Sequence, residues 1–405
     1  MSKLSESEAG MSWLGNFPEA HRDTAAALLD ELLLVGAKEF VQSMMQQFEK
    51  IRTDNLTDRP IAFYAEREVE KDKAGIIPIF GSATGRSVGK GPQPVPFDPI
   101  KPEVGSEGIV ANLVTSFCRR HESVALNHPG PDLLREHRVG PVIIATDFIG
   151  SGQRIWKMLE AFRAVATIRS WKSYRYLKFY VVAYSGTEAG LRKVKSSRLS
   201  PQVLTVVGCP TLNVTFRHPT LDVVMTLCRT YPRGHQQPFG YDWTGALIAF
   251  EHGIPNNAPP ILHSTARKWT PLFRKRSTID AESVFPSSNR QEIASRAEKL
   301  LKIRDAETYL SDFRGSKWIE TMLVLAAIER GARTYAQVSA ASRIDIENVR
   351  DTLVFTEIAL WTTDKLRLTR LGRSELQRLR KRRARRPLLP NDDKPYYYPT
   401  QLRAR

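Results

Sequence analysis

The chain predicts an α/β fold: a mostly parallel, Rossmann-like sheet, preceded by a helical lead-in and followed by a C-terminal winged helix-turn-helix. Three observations carry that prediction. Apolar runs of strand length alternate with amphipathic helical stretches between Ile61 and Phe250, the rhythm of βα units. One run, Val142-Ile-Ile-Ala-Thr-Asp-Phe-Ile149, meets the glycine turn Gly150-Ser-Gly152 and resumes as a helix from Ile155 to Phe162. Beyond Trp318 the pattern changes to three helices, a short hairpin and a closing helix. The expected organisation is a helical segment 1–58, an α/β domain 59–276, a linker and connecting helix 277–310, a winged helix 311–386 and a tail 387–405.

Composition bounds the function. With 405 residues the chain suggests two or three domains, and with 41% hydrophobic residues it can bury a proper core. A net charge of +17 favours an acidic partner, most simply nucleic acid. Part of that excess is local, in the run Arg378 to Arg386 with Arg380, Lys381, Arg382 and Arg383 at its centre. Three cysteines, far apart and outside any CxxC pair, read as reduced thiols. Met1-Ser-Lys-Leu-Ser-Glu has no signal-peptide pattern, and no apolar run nears the roughly 20 residues a bilayer span needs. The expectation is a cytoplasmic protein without membrane contact; an oligomer is left open.

Taken in order, residues 17–51 repeat apolar positions at helical spacing, first from Pro18 and again after Gly36. Ile61 to Tyr64 and Ile76 to Phe80 read as strands, with the charged stretch Glu66 to Lys73 between them. The glycine- and proline-rich loop Gly81 to Pro102 carries Arg86 and Lys90. It can close over a pyrophosphate, and it fits a solvated connection equally well. Ser106 is the expected N-cap of the helix 108–117. Lys178 to Tyr184 is a strand, and Ser185-Gly-Thr187 turns into the helix 188–197. Val203–Val207, Leu212–Phe216 and Ala246–Phe250 complete the strand candidates.

A strand, a glycine turn and a helix N-terminus make an anion cradle, because glycine lets backbone N–H groups approach a phosphate and the helix dipole favours negative charge. Around Gly150 and Gly152, Thr146, Ser151, Gln153 and Arg154 can add hydroxyl, amide and guanidinium donors. Asp147 stands where an acid can hold ribose hydroxyls or a magnesium ion, and Ser185 and Thr187 fall on the same sheet edge. Further on, Phe250-Glu-His-Gly-Ile-Pro-Asn-Asn257 offers His252, Asn256 and Asn257 for reading a base or a partner, with a purely structural role for His252 also open.

In the winged helix, residues 345–356 are the expected reading helix, with Asn348 and Arg350 toward DNA and Lys365 and Arg367 on the wing toward phosphates. Glu347 and Asp351 sit badly with that, and a protein-binding winged helix stays open. The tail interleaves Tyr396-Tyr-Tyr398 with basic residues, a composition suited to stacking and phosphate contact.

The stretch 142–154 resembles the signature of the type I phosphoribosyltransferases: apolar residues, two acids, two further residues, then acid-Thr-Gly-Gly-Thr. Asp147 matches the second acid; Thr146 replaces the first, Gly150 replaces the later acid, and Ser151-Gly-Gln-Arg154 stands for Thr-Gly-Gly-Thr. Together with Gly105-Ser-Glu-Gly108, Phe250 to Asn257 and the winged helix, the chain resembles phosphoribosyltransferase-like effectors of bacterial conflict systems, of the retron-associated type, over roughly residues 15–385. The resemblance implies an antiphage effector. It also implies a reverse transcriptase and its RNA–DNA product as partners that hold the effector inactive until infection. A magnesium ion with phosphoribosyl pyrophosphate or a nucleotide would be the ligand, and Asp147 the acid. A metabolic phosphoribosyltransferase and a non-catalytic regulator coupled to DNA binding are the alternatives.

Overall fold

Short apolar runs closed by polar residues or glycine become strands. In chain order they are β1 (Leu33–Val35), β2 (Ile61–Ala65), β3 (Ala125–Asn127), β4 (Pro141–Ile149), β5 (Lys178–Gly186), β6 (Gln202–Gly208) and β7 (Ile248–Phe250). The computed structural model describes residues 3–55, 58–73, 75–83, 86–94, 106–232, 234, 236–278, 283–286, 289–303, 306, 310 and 313–382.

β2 to β6 form one five-stranded sheet, ordered β6-β5-β4-β2-β3, with every pair parallel. Parallel neighbours require crossovers, and the helices supply them on both faces. α1 (Glu8–Leu14), α2 (Glu19–Leu29) and α3 (Ala37–Thr53) precede the sheet, and α4 (Ser106–Arg120) joins β2 to β3. After α5 (Pro131–Glu136), α6 (Gln153–Ala164) and α7 (Ala166–Ser173) carry the chain from β4 to β5, and α8 (Glu188–Lys195) from β5 to β6. Side-chain alternation sorts the strands. Phe63, Ile143 and Val182 pack with Phe40, Phe48 and Phe117 on the α3/α4 face. Tyr64, Ile144 and Val181 pack with Met158 and Phe162 on the other. The winding reverses between β2 and β4, and in open sheets of this kind ligands bind beyond the carboxyl ends of the strands at that reversal.

A third core joins the two ends of the α/β region. Trp13, Phe17 and Leu28 pack with Val224, Leu247 and Phe273, and the Trp13 indole N–H donates to the Ile261 carbonyl at 2.8 Å. Within this unit β1 pairs in parallel with β7. A fourth core holds the C-terminal unit: α11 (Asn289–Leu301), α12 (Phe313–Glu329), α13 (Tyr335–Ser342), α14 (Ile346–Ile358) and α15 (Arg370–Arg382). α9 (Leu212–Thr215) and α10 (Thr220–Thr230) belong to the third core.

Four segments differ from the sequence expectation. Leu33–Val35 is a strand rather than helix: α2 ends at Leu29 with Asp30 as its C-cap, and the Leu-Leu-Val run pairs in parallel with the buried β7. In Ile76–Phe80 only Ile76 pairs, as part of Gly75–Ile76 against Lys71–Asp72, and Pro78 has no N–H to continue a ladder. Leu212–Phe216 forms the single helical turn of α9, because so short an apolar run satisfies either period. The wing is one bridge, Thr362 to Leu368, in place of a full hairpin. Among the described residues no helix is long and apolar enough to cross a membrane. Cys118, Cys209 and Cys228 are free and buried, and burial pushes the Cys118 and Cys228 thiols up to about 12, so none has thiolate character.

Candidate functional site

The sheet reversal brings residues from four elements to one edge. Thr146 and Asp147 lie near the carboxyl end of β4, Glu66 follows β2, Arg154 opens α6, and Glu107 opens α4. His252 follows β7 and reaches Asp147: its Nε2 lies 3.2 Å from Asp147 Oδ2, across 105 residues of sequence. The imidazole is stacked on Phe250 at 5.0 Å and edged by Phe40 at 5.2 Å, so its plane is fixed by packing. Asp147 Oδ1 accepts the Phe148 N–H at 2.7 Å. The pair is near the surface, with side chains 10% and 16% exposed.

Arg154 is held by acids. Its guanidinium pairs with Glu107 and lies 3.6 Å from Glu66. Glu66 is buried and touches the Thr146 hydroxyl. Burial raises its pKa, Asp147 adds to the rise, and Arg154 and the Thr146 hydroxyl offset part of it. Neither Glu66 nor Glu107 was singled out from sequence. The available signal was position: Glu66 is the first residue past the carboxyl end of an apolar strand, where parallel sheets put their ligands.

The glycine turn is built by close packing. Gly152 has φ of 75°, the left-handed region that favours glycine, and serves as N-cap of α6. A β-carbon at Gly150 would overlap the Asn257 amide, and one at Gly152 would strike the Gly190 carbonyl. Among the described residues the backbone N–H groups of Ser151 and Gly152 donate to no protein acceptor, while Gln153 N–H points at Ser151 Oγ, 3.4 Å away. Two open N–H groups at a helix N-terminus are an arrangement chemically able to receive an anion.

The remaining sequence candidates divide. Thr187 is buried, accepting the Gly190 N–H at 3.0 Å and donating to the Gly150 carbonyl at 2.6 Å, so its hydroxyl braces the turn. Ser185 lies buried on β5 beside Phe148, its hydroxyl without a partner among the described residues. Asn257 donates to the Tyr241 carbonyl and to Thr244 Oγ1, at 3.1 and 2.9 Å, and fills the space Gly150 leaves. Asn256 is exposed beside it. Arg86 and Lys90 are exposed on a loop anchored to α5 by Gly89 N–H on Asp132 (2.8 Å); among the described residues neither touches the 146–154 turn.

The winged helix is docked on the α/β domain. Ser339 accepts the Gly208 N–H at 3.0 Å, Thr334 and Gln337 bond Glu188, and Glu347 pairs with Lys50. Asn348 lines a cleft with Ser43, Gln47 and Lys50. Arg350 is exposed and lies over the Tyr335 ring at 5.7 Å; Lys365 and Arg367 are exposed on the wing. The free end of α14 presents Val354, Phe355 and Ile358, 54–77% exposed. Arg380, Lys381 and Arg382 lie in α15 with side chains outside the described residues, as is all of Arg383. Beneath the junction, Glu31 pairs with Arg296 at 2.7 Å and Lys299 at 2.8 Å, and Arg343 Nη2 donates to the Glu31 carbonyl at 2.7 Å.

The PRTase-CE family matches residues 11–275 of this chain. The chain belongs to the PRTase-CE family. A second match, described as wHTH-PRTase associated, covers residues 322–404, so the PRTase-CE region and its winged helix account for most of the sequence. Neither the curated proteins nor the solved structures gave a match. In this PRTase-CE chain, no group of three or more His, Cys, Asp and Glu side chains among the described residues is disposed to hold a metal ion.

Proposed function

We propose that this PRTase-CE chain is an antiphage effector that binds a phosphorylated ribose or nucleotide at the 146–154 turn and acts on it through Asp147. The observation that carries the reading is the convergence of Asp147 and His252 beside the open N–H groups of Ser151 and Gly152. A carboxylate can steady positive charge developing on a ribose, and an imidazole held on that carboxylate can move a proton. Asp147 would supply a carboxylate oxygen to a magnesium ion carried in on the phosphates, and the ion would there supply charge neutralisation. The partners proposed are a reverse transcriptase and its RNA–DNA product, meeting the winged helix through Lys365, Arg367 and the basic run from Arg380; this part rests on family resemblance.

A second reading, a non-catalytic regulator, draws support from Arg154, which is neutralised by two carboxylates. The two readings part over Asp147. Cells expressing wild type or Asp147→Ala, with and without a neighbouring reverse-transcriptase operon, are challenged with phage while nucleotide pools are followed by mass spectrometry. The expected outcome is a loss of nucleotide turnover of about 10²–10⁴-fold and loss of protection in the variant, with an unchanged melting curve. A variant as active as wild type makes the site a binding scaffold.

A further inference from the structure

The amino-terminal edge of the sheet carries a different chemistry. β4 runs from Pro141 at this edge to Asp147, roughly 20 Å of strand away. Here α7 ends at Ser173, and the chain turns through Tyr174, Arg175 and Tyr176 before β5 begins at Lys178. The Arg175 N–H donates to the Lys172 carbonyl at 3.0 Å, and the Tyr176 N–H to the Trp171 carbonyl at 2.8 Å. Arg175 takes φ of 59°, a left-handed position that glycine usually fills after a helix. The bend brings the rings of Tyr174 and Tyr176 together, stacked with centroids 5.8 Å apart and planes 23° from parallel. Arg59, just ahead of β2, lies over the Tyr176 ring at 5.8 Å and donates to the Tyr176 carbonyl at 3.4 Å. Large rings are ordinarily covered, yet Tyr174 is 69% and Tyr176 51% exposed.

The surroundings are cationic. From Ala161 to Thr187 the chain has no aspartate or glutamate and five cations, of which only Arg163 is in an ion pair among the described residues, with Glu160. Arg169, Arg175 and Lys178 are exposed, and Arg169 donates to the neutral carbonyls of Arg163 and Ala164, which leaves its charge unopposed. Asp58, beside Arg59 in the chain, leaves the group strongly positive. Trp171, half-buried with Arg135 over its ring at 5.5 Å, anchors α7 and so holds the tyrosines in place. Cations alone suit any polyanion. Flat rings presented to solvent among those cations suit one whose bases are unpaired, because every base has a π-face and every link carries a phosphate. We propose that Arg59, Tyr174, Arg175, Tyr176 and Lys178 form a stacking platform for single-stranded nucleic acid, at the opposite end of the sheet from Asp147. The platform is separate from the wing and from the basic run after Arg378, and it does not depend on the reading of the 146–154 turn.

The test is fluorescence anisotropy of the full chain with labelled oligothymidine, oligouridine and a hairpin duplex, beside co-sedimentation with phosphatidylserine vesicles. Tyr174→Ala and Tyr176→Ala should each weaken binding of a single strand by about 5- to 100-fold, leave its salt slope unchanged and leave duplex binding unchanged. Phenylalanine at both positions keeps the stacking face and should bind within about threefold of wild type. Arg59→Gln, Arg175→Gly and Lys178→Gln together should lower the salt slope on single strands by about 2, and glycine at 175 accepts the left-handed backbone without strain. All variants should melt as wild type does. Binding of either strand with these losses supports the platform, and the tighter of the two names the ligand. Single-strand binding that survives both alanine variants overturns the proposal, as does an equal loss on the duplex, which marks a general polyanion surface. Failure of wild type to bind either strand also overturns it, and capture by the vesicles in that case assigns the surface to lipid headgroups.

Discussion

Two clusters of charge lie in this molecule, and they are built on opposite principles. Beneath the winged helix, Glu31 and Glu292 face Arg296, Lys299 and Arg343, a cluster with more cations than acids. Burial works against the Glu31 charge, but Arg296, Lys299 and Arg343 outweigh it and hold the carboxyl down at about 2; Glu292 is pushed up by burial, partly offset by Arg343 and Arg296. At the sheet reversal, Glu66 and Glu107 share one Arg154, and Asp147 lies beside them against Thr146 and His252. The first cluster completes itself and reads as structure. The second is short of positive charge and its Arg154 is half exposed, so its charges are not matched within the fold as those of the joint are.

Breaking the joint should cost most. Arg343→Met or Glu31→Gln leaves buried charge without its partner, so urea melts should show a loss of about 3–5 kcal/mol, while binding of sulfate at the 146–154 turn by the folded fraction stays unchanged. Acid should sharpen the contrast. Because Glu31 has a folded pKa below its unfolded value of 4.5, the stability it supplies is present above that pH and is lost as pH falls from 4.5 toward 2. That amounts to roughly 3 kcal/mol, and thermal melts of Glu31→Gln over the same window should have a shallower slope.

At the open site the expected effects are smaller. Gly150→Ala pushes a methyl into the Asn257 amide and should cost about 1–3 kcal/mol in melts, with part recovered in the double variant Gly150→Ala/Asn257→Ala. Smallest is the wing. Lys365→Ala with Arg367→Ala should leave stability within about 0.5 kcal/mol and lower the salt slope of any nucleic-acid binding by about 2, read by fluorescence anisotropy. An unchanged slope would assign the winged helix to a protein partner, as the exposed Val354, Phe355 and Ile358 suggest.

The strands β4, β5 and β6 and the helices of the winged helix were legible because their periodicity is long and clean, and the turn 150–154 because glycine beside a strand has few other uses. What escaped has physical reasons. Glu66 looked like one more residue of a charged stretch, since only the fold tells which member of Glu66 to Lys73 turns inward. Asn257 reads as a polar group for a ligand until Gly150 is seen to need it as a neighbour. Asp147 and His252 were each visible alone; their pairing depends on β7 lying where it does.

That position has a consequence for how the protein is made. β1 leaves the ribosome early and has no partner until β7 arrives about two hundred residues later, and His252 lies just beyond β7. A ribosome-bound chain can therefore close the five-stranded sheet while the Asp147 carboxylate still lacks its imidazole, so the pair is assembled only late in synthesis.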